Sequence, residues 1–408
     1  MAVSGLVSGV PVGWFGFDRT QRVEGFRDDP FVVLNRIREE QPVHYSPVGV
    51  LRLFRYDDVT RLLRDTKVGV RTTGGILPGI DETKYGNRLF LLQQDPPNHT
   101  RLRRLVSRAF TPPAIAAQRV HIQALVDGLL DRVADQDEID IIADLARPLP
   151  STVICEMLGV PLSDRELFTD WTAQITHLLV PALVSDEQRE RSIAAALNLW
   201  QYMADLVEVR RKSLGDDMLS VLIRAEEQGD RLSAEEVIIH GIGLLVAGFE
   251  TTIGLVGNGV RQLLLHPDEL AKLRARPQLI ASAVEECLRY DGPILGTQRV
   301  LHEEAEFGGH VFPIDTPVLV CLAAAQRDPR VFPNPDTFDI ERQGSAHLAF
   351  GGGIHFCLGA HLARLEAQIA IGTLVTRFSK MKLVSERLRW GESLFRIQAA
   401  LPVRVSRP

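Results

Sequence analysis

The sequence predicts a mainly α protein with a small β region, formed by one domain over residues 1–408. Three observations predict it. Apolar residues recur at spacings of three and four through most of the chain, the period of helices that bury one face. Short strand patterns, bounded by Gly and Pro, occur in only a few places. No Ser/Pro/Gly-rich linker, repeat or low-complexity tract divides the chain, although length alone would allow two or three domains.

In chain order, helical spacing covers Asp29–Glu40, His99–Phe110, Ala114–Asp135, Pro150–Leu158, Ser163–Leu179 and Asp186–Leu214. It resumes at Asp217–Gln228, Ser233–His266, Asp268–Ala275, Pro277–Tyr290 and Ala360–Phe378. Pro30, Pro150 and Pro277 suit a first helical turn, where no amide partner is needed. Ser163 with Glu166, and Ser233 with Glu236, have the spacing of capping boxes. Strands are expected at Val43–Tyr45, Leu51–Phe54, Gln298–Leu301, Pro317–Cys321 and Leu401–Val405. Arg71–Leu92 and Val180–Glu187 carry broken patterns and are expected to be mobile loops, which often bind ligands.

Composition narrows the class. Hydrophobic content of 45% supplies a substantial core, and a formal charge of −6 argues against general nucleic-acid binding. Cys155, Cys287, Cys321 and Cys357 lie far apart without a CxxC pair, which fits a reducing, cytoplasmic compartment. Met1–Gly16 lacks the basic start and unbroken apolar run of a signal peptide. Val237–Leu265 is strongly apolar, but its central Glu250 favours a buried helix of a soluble protein over a membrane anchor.

The most informative segment is Phe350-Gly351-Gly352-Gly353-Ile354-His355-Phe356-Cys357-Leu358-Gly359, which leads into an apolar helix. A sulfur there faces free amides and the positive end of the helix dipole, which favours thiolate. Glycines allow a flat group to lie close, while Phe350 and Phe356 offer apolar cover and His355 a polar contact. A thiolate with one face open to a planar cofactor describes an axial haem ligand; the bland alternative is a buried structural cysteine. Three further patterns stand out. Ala247-Gly248-Phe249-Glu250-Thr251-Thr252 is poor helix chemistry inside a helix, consistent with a local opening of its hydrogen-bond ladder. Glu286 and Arg289, three apart, share a helix face, as do His99 and Arg103, four apart.

Together these patterns resemble the cytochrome P-450 family. The loop spacing Phe-x-x-Gly-x-x-x-Cys-x-Gly and the continuation Ala360-His361-Leu362-Ala363-Arg364-Leu365-Glu366 are similar to its haem-binding loop and the helix that follows. The resemblance spans Asp95 to Glu366 and implies that family's prism-like fold, with haem b between the oxygen-binding helix and the cysteine-ligand helix. It implies Cys357 as iron ligand, with Phe350, Gly351 and Ala247 against the haem and His99, Arg103, Arg299 and His355 on its propionates. Glu250 would relay protons and Thr251 would donate a hydrogen bond to oxygen. Glu286, Arg289 and Arg342 would form a buried structural network, with Phe332–Phe338 as the segment it locks. Ala325-Gln326-Arg327-Asp328-Pro329 departs from the family, which more often has Asn before Arg-Asp.

The resemblance maps a substrate pocket onto Leu91, Leu178, Leu179, Gly243, Val246, Ala247, Ile294, Leu295, Thr297, Leu394 and Phe395, nearly all apolar. An apolar small molecule is therefore expected, with Thr297 as one orienting group; Arg71, Lys84 and Arg88 could instead catch a carboxylate. The leading function is an oxygen-activating monooxygenase. A haem sensor or carrier would need Cys357 but not Glu250 and Thr251, and coupling, desaturase or peroxygenase chemistry on the same fold stays open. No flavin-binding or iron–sulfur pattern is visible, so a separate ferredoxin or flavodoxin is implied, docking on a monomer's proximal face around Arg101, Arg104, Arg108 and Arg364.

Overall fold

Helices with one apolar face build most of the molecule, and the most apolar of them lies at its centre. The computed structural model describes residues 26, 28–46, 49–75, 90–179, 185–227, 232–344, 346–387, 389–391 and 395–407. The helices in chain order are α1 (Phe31–Glu40), α2 (Tyr56–Arg64), α3 (Asn98–Val106), α4 (Pro112–Ala117), α5 (Arg119–Arg132), α6 (Pro148–Leu158) and α7 (Arg165–Thr176). They continue as α8 (Asp186–Arg211), α9 (Met218–Glu227), α10 (Ala234–Leu265), α11 (Pro267–Ala275), α12 (Ile280–Asp291), α13 (Leu322–Ala325) and α14 (Ala360–Arg377).

The strands are β1 (Val43–Tyr45), β2 (Leu51–Leu53), β3 (Val68–Gly69), β4 (Glu138–Asp140), β5 (Thr297–Leu301), β6 (Ala305–Phe307), β7 (His310–Phe312), β8 (Pro317–Val320), β9 (Lys380–Leu383) and β10 (Pro402–Ser406). One sheet has the order β1-β2-β8-β5-β3, with β2 and β8 parallel and its other pairs antiparallel. A second sheet is β4-β10-β9, and β6 with β7 forms a hairpin. Its two turn residues, Gly308 and Gly309, have φ of 60° and 77°, which a tight hairpin turn requires and a side chain would resist.

α10 starts at a true capping box: the Ser233 hydroxyl accepts the Glu236 amide, and the Glu236 carboxylate accepts the Ser233 amide. It is long and apolar enough to cross a membrane, yet two thirds of its most apolar window (67%) is buried among neighbouring helices. It packs on α6, α8, α12 and α14, so a helix apolar on nearly every side acts as the central beam of the core.

Several expectations change in the folded chain. The helix expected over Ala114–Asp135 is two, α4 and α5, separated at Gln118. Ser163 lies in a 3₁₀ turn, and its hydroxyl donates to Asp164 instead of closing a box with Glu166. Pro30 is the N-cap of α1 rather than a residue of its first turn. The amphipathic α2 has no counterpart in the expected elements. Residues 76–89 and 180–184, the greater part of the two expected loops, lie outside the described residues together with Lys84 and Arg88.

Candidate active site

Cys357 sits just before α14, whose N-cap is Gly359. Its amide donates to the Phe350 carbonyl at 2.9 Å, which closes the loop into a compact turn. Gly351 and Gly353 have φ of 70° and 65°. At Gly353 a Cβ would also collide with the Leu63 carbonyl, so the loop can rest on the end of α2 only as glycine. Cys357 is half-buried. Burial pushes its thiol up, opposed by the Gly359 amide and by the charges of Arg103 and Arg364. The helix-terminus effect expected from the sequence is present but burial outweighs it; metal coordination deprotonates such a thiol outright.

On one side of this loop four residues from three segments converge. His99, on α3, is 2% exposed and its ring lies 4.4 Å from that of His355. Neither His99 nitrogen has a hydrogen-bond partner among the described residues. His355 Nε2 makes no hydrogen bond either, but stands 4.0 Å from Asp95 Oδ1, an ion-pair distance. Arg103, one turn along α3, donates to the Phe356 carbonyl at 2.7 Å. Arg299 on β5 is 4% exposed and donates to Gln298 O at 2.7 Å and Thr297 Oγ1 at 3.3 Å. Burial, with the neighbouring His355, Arg103 and Arg299 charges, pushes His99 down to about 4. Burial also pulls Arg299 down to about 10. Buried donors without acceptors, beside two cations, are costly unless an anion completes them. Two carboxylates on the edge of a flat group would do so, and the haem propionates fit this set.

The middle of α10 is mostly buried. Ala247 is exposed and Thr251, one turn on, is half-buried, whereas Val246, Phe249 and Glu250 are buried. An exposed alanine at the middle of a core helix leaves its face of the helix uncovered. The Thr251 hydroxyl donates to the Ala247 carbonyl at 3.0 Å, and Thr252 to Gly248 at 3.4 Å. α10 runs unbroken here, so the expected opening of its ladder is not seen; the hydroxyls share the preceding turn's carbonyls without displacing the helix.

The pocket residues divide. Leu91, in a 3₁₀ turn, and Phe395 pack against the main core that contains Val246. Gly243 lies under Phe90, whose side chain fills the place a Cβ would take; Phe90 was not among the expected residues. Ile294 packs instead on the sheet's own cluster, and Leu295 on the small cluster around Leu34 and Phe54. Thr297 accepts from Arg299, so its hydroxyl is already engaged. Leu178 is half-buried; the Leu179 side chain and Leu394 lie outside the described residues. Arg71 donates back to the Gly75 carbonyl of its own loop. A separate surface groove of about 570 Å³, lined by Arg119, Leu273, Ile280 and Arg377, contains none of these residues.

The Glu286 network is dense. Glu286 and Arg289 side chains are both 2% exposed and form a bidentate pair at 2.7 and 2.8 Å. Arg342 adds a bond to Glu286 at 3.2 Å and donates to the carbonyls of Pro333, Asn334 and Thr337. Arg289 also reaches the Gln326 and Pro335 carbonyls. Gln326, the departure in the sequence, is 1% exposed, and its side-chain oxygen accepts the Leu348 amide two residues before Phe350. The network therefore continues into the cysteine loop. Asp95 was also missed: it accepts the Val70 and Arg71 amides at 3.0 Å and ties β3 to the start of α3.

The chain matches the family model described as Cytochrome P450 over residues 42–387. It is 41% identical to Cytochrome P450 107B1 of Saccharopolyspora erythraea over 96% of each chain.

The chain belongs to the cytochrome P450 family.

It is 40% identical to Cytochrome P450 monooxygenase PikC of Streptomyces venezuelae, covering 93% of this chain and 92% of that one. The crystal structure of P450BioI, titled as a complex with hexadec-9Z-enoic acid ligated acyl carrier protein, superposes with a TM-score of 0.87. It is 36% identical and covers 94% of this chain and 100% of that one. The fold is the P450 fold, the protein is a P450 monooxygenase, and haem b is the cofactor of its family. Small-molecule substrates, O2 and a redox partner follow from the family.

One buried acid of this P450 has a measurable consequence. Glu366 on α14 is 1% exposed, and its Oε2 has no partner among the described residues. Burial pushes its carboxyl up to about 8. The unfolded chain releases this proton near the ordinary carboxylate value, so between there and about pH 8 the unfolded state binds fewer protons. Stability must then fall with rising pH across that window, by about 1.4 kcal/mol per pH unit at most. Glu366→Gln should remove this fall, giving a larger gain in urea midpoint at pH 8 than at pH 5; parallel pH profiles for the two proteins would contradict it.

Proposed function

We propose that this P450 is a haem-thiolate monooxygenase that oxidises a predominantly apolar small molecule. Electrons come from a separate ferredoxin or flavodoxin with its reductase. The observation that carries this reading is the half-buried Cys357 loop beside the His355 ring, the unpartnered His99 nitrogens and the Arg103 and Arg299 cations. Cys357 ligates the iron, with Phe350, Gly351 and Ala247 around the ring. His99, Arg103, Arg299 and His355 hold the propionates. The bound haem supplies the oxygen-activating chemistry, and the chain supplies binding, orientation and protons. The protein acts as a cytoplasmic, single-domain monomer, consistent with four free cysteines and a family match over most of the chain.

Leu91, Gly243, Val246, Ala247 and Phe395, with Phe90 added, shape the pocket by apolar area rather than by an ion pair. Relatives named for polyketide biosynthesis and as 6-deoxyerythronolide B hydroxylase support a polyketide-type biosynthetic product as substrate. Spectral titration with macrolactones, fatty acids and strongly polar ligands tests this. Tight binding by the polar set alone overturns it.

Thr251 Oγ1 is the hydroxyl that moves a proton toward the reacting oxygen, and Glu250 resupplies it. To act as donor, Thr251 must release the 3.0 Å bond to Ala247. Thr251→Ala should keep haem and substrate binding while product formed per reduced nicotinamide falls roughly ten-fold or more. An unaltered ratio would transfer the role to Thr252.

The docking surface is narrower than the sequence implied. Arg101 pairs with Glu236 of the α10 cap, and Arg364 with Glu285 at 2.7 Å. Arg104 remains exposed, and the Arg108 side chain lies outside the described residues. Arg104 and the exposed Ile354 and Phe356 are the proximal contacts that meet the electron carrier.

A further inference from the structure

α12 carries two successive acids that point different ways. Glu286 turns inward to Arg289, whereas Glu285 turns toward α14 and the segment before the cysteine loop. Glu285 Oε1 accepts Arg364 Nε at 2.7 Å, and Oε2 accepts Arg364 Nη2 at 2.8 Å. His347 Nε2 stands 3.0 Å from the same Oε2. His347 Nδ1 accepts the Ala349 amide at 3.2 Å, so the neutral ring carries its proton on Nε2 and donates it to Glu285. His347 is nearly buried and Arg364 three-quarters so, with side-chain exposures of 9% and 25%.

These contacts bracket the ligand loop from both ends. The Arg364 guanidinium lies 4.4 Å over the Phe350 ring, and the His347 ring is 5.9 Å from the same ring. Phe350 in turn supplies the carbonyl that holds the Cys357 amide. The Arg364 charge therefore stands over the ring of the residue whose carbonyl holds the Cys357 amide. Without Glu285, that guanidinium would be an unopposed cation over Phe350 and less firmly held there.

We propose that Glu285 is a positioning residue for the cysteine loop: it clamps Arg364 and His347 around Phe350 and offsets the Arg364 charge beside the loop. The inference rests on Cys357 being the iron ligand. It also means that Arg364 serves the loop rather than the redox partner.

The test is equilibrium redox titration of the haem-loaded protein, with the spectrum of its reduced carbon monoxide form. Glu285→Gln keeps the side chain's shape but removes the charge. It should raise the midpoint potential, since an unopposed cation favours the reduced iron, and increase the share of reduced protein that loses the thiolate-type Soret band. The double variant Glu285→Gln with Arg364→Gln removes both charges and should return the potential toward that of the parent while the band stays less stable. Glu285→Asp should fall between parent and Glu285→Gln. An unchanged potential and band in Glu285→Gln overturns the positioning role. A parent protein lacking the thiolate-type band would instead refute the Cys357 assignment, so the two failures are distinct.

Discussion

Cys357→His is expected to abolish the red-shifted Soret band of the reduced carbon monoxide form and to bring monooxygenation below detection. Haem content should fall much less. The set His99, Arg103, Arg299 and His355 does not depend on the sulfur, and its unpartnered nitrogens still need an anion. What is lost is the electron donation of a thiolate, which an imidazole does not reproduce. Cys155→Ala, Cys287→Ala and Cys321→Ala should each keep the band. Those three thiols are at most 2% exposed, and burial pushes all of them up, to about 12 for Cys155 and Cys321. They behave as small core hydrophobes. A retained band in Cys357→His, or its loss in any of the other three, would refute the assignment.

Glu286→Ala should be the most destabilising of the substitutions considered. It strips Arg289, whose side chain is 2% exposed, of both bidentate bonds, and removes one acceptor of Arg342 and the acceptor of the Asp339 amide. Breaking a buried pair by removing one partner costs about 3–5 kcal/mol, against a total stability of roughly 5–15 kcal/mol. The expected result is little soluble haem-loaded protein, with an early unfolding midpoint in whatever is recovered. Arg342→Ala should cost less, because that side chain is 13% exposed and water can replace part of its role. Equal midpoints for Glu286→Ala and the parent, or a larger loss from Arg342→Ala, would show that the network does not carry this share of the fold.

Much of the candidate site was legible because its signals are local. Glycines at fixed offsets from Cys357, the Glu250-Thr251 pair, and acids and bases three or four apart on a helix all express backbone geometry within a few residues. The same holds for the Ser233 capping box and for the apolar pattern of α10. The misses have a different origin. Ser163 had the spacing of a box but lies in a 3₁₀ turn, and Leu295 was apolar and well placed yet packs toward α1. Asp95, Gln326 and Phe90 act through partners on other elements, and nothing in their neighbours announces it.

The sequence by itself determined the family, through local motifs: a cysteine before a helix, and an acid and an alcohol in a core helix. Tertiary structure decided how the charges are spent. Arg101 meets Glu236 across 135 residues and Arg364 meets Glu285 across 79, and neither choice could be read from spacing. Both arginines seemed free to face a redox partner; folding commits them to a helix cap and to the cysteine loop. The reason is that helical period specifies neighbours one turn apart, whereas partners on different elements are chosen only when packing brings two buried or half-buried charges within reach of one another.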